Sequence, residues 1–145
     1  MTLVLSLADA IVRGALAEAV RRGARPIAVV VVDGGGHIVA AARQDGASFL
    51  RIDIACGKAQ GAIGMGNDTR VLAERAAANP VFFNSLSAAT GGRIVLSAGG
   101  VLVPDDRPDA APIGAIGISG DTSDVDEACA FAGLDAASNI LRTPA

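Results

Sequence analysis

The chain has 145 residues, the length of one domain, and 51% of them are hydrophobic but only 3% aromatic, so its core is expected to be aliphatic and Ala-rich. A net charge of −3 and the scarcity of aromatic rings argue against a nucleic-acid partner, which needs clustered cations and stacking surfaces. No run approaches the roughly 18 apolar residues of a membrane span, and the N-terminus lacks the basic start of an export signal, so the cytoplasm is the expected compartment.

Ser6 is predicted to open the first helix, with Ser6 and Asp9 spaced as a capping box. Leu7, Ala8, Ile11, Val12, Ala15, Leu16, Ala19 and Val20 then recur with helical period, and Gly23 and Pro26 end the run. Ile27 to Val32 reads as a strand, Asp33-Gly34-Gly35-Gly36 as a turn and His37 to Ala42 as the returning strand. Ala47 to Gly64 reads as a helix, whose Gly57, Gly61 and Gly64 point to close packing against another backbone. A short helix follows from Asp68 or Thr69 to Ala78, and another short piece from Pro80 to Leu86.

Arg93 to Ser97, Val101 to Val103 and Ile113 to Ser119 are predicted as three further strands, with the Gly99-Gly100 turn between the first two and a polar loop, Asp105 to Pro112, before the last. Ser123 and Asp126 form a second capping-box pattern, opening a last helix to about Ile140. The two cysteines, Cys56 and Cys129, fall in predicted helices without metal-type spacing and read as free, buried thiols. The expected class is α+β, a single domain with one mainly antiparallel sheet of about five strands flanked by helices.

The stretch VVVVDGGGHIVAAARQDGA, residues 29–47, resembles the VVDxGGxLVAxxRxDGA signature of the GlcG/HbpS-like (DUF336-type) family. Lys58-Ala59-Gln60-Gly61-Ala62 is similar to that family's K-A-x-T-A motif, Gly99-Gly100 to its glycine pair, and GAIGISG, residues 114–120, to its closing GAIGVSGG. The likeness runs along nearly the whole chain. Gly61 stands where the family has threonine, Leu102 where it has proline, and the loop Asp105 to Pro112 looks longer. The resemblance implies a profilin-like layered fold and homo-oligomers from dimer to octamer. It also implies a link to haem binding, to glycolate-utilisation operons or to part of some cobalamin adenosyltransferases.

Arg43 and Asp45 leave the second strand just before a helix, where small-molecule pockets form. Arg43 is a candidate bidentate clamp for a carboxylate, and Asp45 a candidate base or partner of Arg43. An internal Arg43–Asp45 ion pair fits the same positions. Lys58, the only lysine, lies among apolar neighbours. It is a candidate to bind an anion, to act as acid or base, or to snorkel to water or pair with Asp45. The Gly99 and Gly100 amides are candidates for an oxyanion contact or a plain turn, and Ser97 adds a hydroxyl. His37, the only histidine, reads as an exposed strand residue rather than a haem ligand, and Met65 and Cys56 as packing residues rather than axial ligands. No cluster has zinc-type spacing, so no metal site is expected.

Three functions follow as expectations. The first is a binding protein for a small, anionic ligand, with haem or a relative implied by the resemblance. The second is a cofactor-independent isomerase, tautomerase, hydratase or lyase acting on an organic acid, with Lys58 and Asp45 exchanging protons and Arg43 holding the carboxylate. The third is an accessory subunit of a larger enzyme.

Overall fold

A computed structural model describes residues 1–141. Helix α1 (Leu5–Arg22) buries Leu7, Ala8, Ile11, Val12, Ala15 and Ala19, the stripe that the helical period predicts. Gly23 closes it in the left-handed region (φ 64°), its N–H meeting the carbonyls of Ala19 and Val20. The Ser6–Asp9 capping box does not form. The helix starts one residue earlier, behind Val4, without a side-chain cap, and burial of Leu3 and Leu7 fixes its entry instead.

Strands β1 (Ala28–Asp33) and β2 (Ile38–Arg43) form the expected antiparallel hairpin, with one irregularity opposite Val31 and Val32. Strands β3 (Gly100–Val103) and β4 (Gly114–Ser119) complete one sheet of order β2-β1-β4-β3, antiparallel throughout. β1 and β4 are central, and both are buried almost along their whole length. That explains why both read as apolar runs rather than as alternating strands.

Each face of the sheet carries a helical layer. Val29, Val31, Ile116 and Ile118 pack against α1 and α5 (Ser123–Leu141), while Ala28, Val30, Val32 and Ala115 pack against α2 (Leu50–Met65) through Ala55, Ala59 and Ala62. The approach of α2 is very close at Gly117, where an added Cβ would lie 1.7 Å from the Ala55 carbonyl oxygen. Only a residue without a side chain fits there. Two short helices, α3 (Thr69–Ala78) and α4 (Pro80–Ala89), follow α2, the second running past the expected end at Leu86. Asn79 caps α4 by accepting from the Phe82 N–H. No helix among the described residues is long and apolar enough to cross a membrane.

The α+β class with a single antiparallel sheet stands, with four strands in the sheet. The difference is the segment 93–97, expected as a strand. It runs outside the sheet and lies on α2, with the Val95 N–H donating to the Gly57 carbonyl (3.2 Å). The neighbouring sheet edge is already taken. The Gly100 N–H donates to Thr69 Oγ1 (2.7 Å) and the Leu102 N–H to Asp68 Oδ1 (2.9 Å), so the start of α3 closes the outer edge of β3.

Candidate functional site

Arg43, Asp45, Lys58 and Gly99 lie towards one end of the sheet. Arg43 at the end of β2 is in register with Ala28, and Ala28 with Ser119 at the end of β4. Gly99 lies on the far side of β4, its carbonyl accepting from the Ile118 N–H. The N-terminus of α2 covers this end, and Arg51 in its first turn donates to Ser119 Oγ (3.1 Å).

Within that region the side chains divide into an exposed group and a buried one. Arg43 and Asp45 are exposed and, with Ala24, Pro26 and Gln44, line a shallow depression of about 490 Å³. Arg43 donates to the Ala47 carbonyl, and among the described residues no ion pair joins it to Asp45. Its guanidinium closes the turn into α2 instead.

Lys58 is buried. Its Nζ donates to the Ile118 carbonyl (2.8 Å) and to Asp126 Oδ2 (3.3 Å), and so pins α2 to β4 and α5. The partner is therefore Asp126 and not Asp45. Burial pushes Lys58 below its ordinary pKa and Asp126 above its own, each against the attraction of the other. The pair is closed in by Gly99, where an added Cβ would stand 2.9 Å from Nζ.

Asp126 was legible only as a helix-capping residue, and the cap itself is shifted by one position. Thr122 Oγ1 accepts from the Val125 N–H (3.3 Å), while Asp126 Oδ1 reaches back to the Asp121 N–H (3.0 Å). One carboxylate thus serves the helix start and the buried amine together. The two residues of the pair lie 68 positions apart, and nothing local in the sequence joins them.

Of the glycine pair, the Gly100 N–H is committed to Thr69 Oγ1, and the Gly99 carbonyl accepts from the Ile118 N–H. Ser97 shares a hydrogen bond with Ser123 (Oγ to Oγ, 2.6 Å) at the edge of a depression of about 410 Å³ that also includes Arg70 and Asp124. Cys56 is half-buried and Cys129 buried, both free. Burial raises the pKa of both thiols, that of Cys129 to about 11.

The opposite end of the sheet carries His37. Its side chain is 82% exposed, and its Nδ1 lies 3.4 Å from Asp33 Oδ1. The same Asp33 oxygen accepts the N–H groups of Gly35 and His37, and these contacts hold its carboxyl below the usual range. Asp33 thereby fixes the turn and stands against one nitrogen of the ring. Among the described residues no group of three or more His, Cys, Asp or Glu side chains is arranged to hold a metal ion.

With this geometry in view, the chain can be set beside known proteins. A family model described as "Haem degrading protein HbpS-like" matches residues 3–135. Among solved structures, a double mutant of HbpS from Streptomyces reticuli is 32% identical, over 93% of this chain and 86% of that one, with a TM-score of 0.79. Klebsiella pneumoniae protein ORFY, assigned to DUF336, is 26% identical over 95% of this chain and 92% of that one, with a TM-score of 0.84. A complex of PduOC with heme shares the fold at 24% identity, covering 94% and 95% of the two chains, with a TM-score of 0.82. No curated protein sequence matches. A match that takes in all four strands and nearly all of the helices, together with the shared fold, settles the kinship: the chain belongs to the HbpS-like family.

Proposed function

We propose that the chain binds haem or a closely related tetrapyrrole, with His37 as the protein ligand to the iron. Family membership supports the ligand class, as does the solved complex of PduOC with heme. The observation on this chain that carries the reading is the Asp33–His37 arrangement. Asp33 Oδ1 stands 3.4 Å from Nδ1 and steadies that side of the ring, so that Nε2 would be the nitrogen to meet the iron. His37 would hold the iron from an exposed position beside the β1–β2 turn, with Asp33 as its neighbour. Bound there, the iron would supply redox and ligand-exchange chemistry, and the protein's part is to orient the imidazole and limit access to one side.

Titrating haem into the purified protein tests this. A saturable shift of the Soret band is expected, with His37→Ala losing the histidine-ligated spectrum and Asp33→Asn weakening binding. An unchanged Soret band in the wild-type protein would sink the reading.

The proton-transfer alternative has no comparable observation behind it. Lys58 is engaged by Asp126 and Ile118 beneath the surface, while Asp45 stands exposed at the end of β2. Homo-oligomer formation, by contrast, has support in exposed apolar side chains. Phe49 and Leu50 at the start of α2, and Val81 and Phe82 on α4, all stand in solvent.

A further inference from the structure

Arg93 is exposed and lies at the junction of two recesses along the outer side of α2. One, of about 240 Å³, lies under the β1–β2 turn and is lined by Gly36, Gln60, Ile63, Gly64, Arg93 and Ile94 among others. The second, of about 490 Å³, continues past Gln60 and Arg93 towards Ile54 and Val95. Gln60 and Arg93 line both.

The seat is preformed by backbone contacts. An added Cβ at Gly57 would lie 2.5 Å from the Arg93 carbonyl, so the bare helix surface lets residues 93–95 lie directly on α2. Gly91 and Gly92, both at positive φ (67° and 75°), turn the chain into this position after α4. Arg93 Nε is then anchored on the Thr90 carbonyl (2.9 Å). Among the described residues its two terminal nitrogens have no partner. Gln60 is likewise half-used, since Nε2 donates to the Gly36 carbonyl (3.0 Å) and Oε1 is left over.

We propose that this recess binds a small organic acid with an apolar body. The free guanidinium edge matches a carboxylate bidentately, Ile63 and Ile94 provide an apolar wall, and Gln60 Oε1 accepts from a hydroxyl or amide of the ligand. A single cation beside apolar walls, with the Asp53 carboxylate lining the second recess, suits a monocarboxylate better than a phosphate dianion. Gly64 fits the same reading. An added Cβ there would meet nothing within 4 Å, yet glycine in a helix costs about 1 kcal/mol relative to alanine. Packing does not require the missing side chain, whereas an open recess does.

Calorimetric titration with hexanoate, against hexylamine and hexan-1-ol, tests the proposal on the full chain. Saturable binding of hexanoate alone is expected in the millimolar range or tighter. Arg93→Gln is expected to weaken it at least tenfold. Gly64→Leu is expected to abolish it by filling the recess, with an unchanged or higher Tm showing that the fold is intact. Equal binding of the alcohol, no saturable binding of hexanoate, or undiminished binding in Gly64→Leu would overturn the proposal. Both variants leave Asp33 and His37 in place, so the Soret titration reports on the haem reading separately.

Discussion

The two faces of the sheet are packed on different principles. Towards α1 and α5 the sheet presents Val29, Val31, Ile116 and Ile118 and meets Leu7 and Ile11, so that the layers are held apart by large side chains. Towards α2 it presents the small Ala28, Ala115 and Gly117 beside Val30 and Val32 and meets Ala55, Ala59 and Ala62, so that backbones nearly touch at Gly117. The first face gains its stability from buried area, the second from close approach. That closeness brings polar groups of α2 within reach of the strands. Lys58, Arg51 and Gln60 each bond across to the sheet or its turns, and all three lie on the α2 side. The Ala/Gly face therefore carries the candidate chemistry, and the aliphatic face supports it.

The largest effect expected from this contrast is at Lys58. Replacement by methionine removes the ammonium and leaves Asp126 buried without its counter-charge, for an expected loss of about 3–5 kcal/mol in denaturant unfolding. Adding Asp126→Asn keeps an acceptor for the Asp121 N–H while removing the stranded charge, and is expected to restore most of that loss. The pKa directions argue the same way, since burial pushes both partners towards their neutral forms. Full turnover on an identified substrate in Lys58→Met would confirm a structural rather than chemical part for the amine. A double variant no more stable than the single one would show that Lys58 and Asp126 do not stabilise the fold as a pair.

Most of the layered fold was legible in the sequence, because the signals that set it are local. The apolar runs of β1 and β4, the glycine turn at residues 34–36 and the periodic stripe of α1 each fix their element from neighbours along the chain. The segment 93–97 misled for the opposite reason. It has the β-branched composition of a strand, and its exclusion from the sheet depends on Asp68 and Thr69, residues of another helix that occupy the edge it would have joined. Single candidate residues stood out in the sequence but their connections did not, and His37 read as an ordinary exposed residue. Arg43, Lys58 and Gly99 do share one end of the sheet, but the lysine's carboxylate came from a helix start 68 residues away rather than from Asp45. Arg93 was hidden inside the supposed strand.

A sharper comparison comes from two neighbouring residues of β4. Gly117 looks towards α2 and Ile116 towards α1 and α5. Gly117→Ala adds one methyl where no space exists, and is expected to cost about 3 kcal/mol, the upper end of the usual overpacking penalty. Ile116→Val removes one methylene from a packed aliphatic layer, at an expected cost of about 0.5–1.5 kcal/mol. Chemical denaturation of both variants, read at constant slope, checks the order. Equal losses would mean that α2 can retreat from the sheet and that the two faces differ less than their geometry indicates.

The smallest effect belongs to the seam where the two faces meet. Asp121 follows β4 and accepts from the Arg25 N–H (2.8 Å) ahead of β1 and from the Thr122 N–H (2.7 Å). These backbone donors hold its carboxyl below the ordinary value of 3.8. A carboxyl depressed in the folded state contributes stability that is fully present above its unfolded pKa. That contribution is lost as pH falls through the lower folded value, so the affected window lies below about pH 4. Asp121→Asn keeps an acceptor for one of the two N–H groups and cannot ionise. Its thermal stability is expected to fall slightly short of the wild type at neutral pH and to decline less steeply on acidification from about pH 5 to about pH 2, the two curves converging at the acid end. Parallel curves across that window would show that the seam is held by its hydrogen bonds alone and that the charge on Asp121 adds nothing to the joining of the two faces.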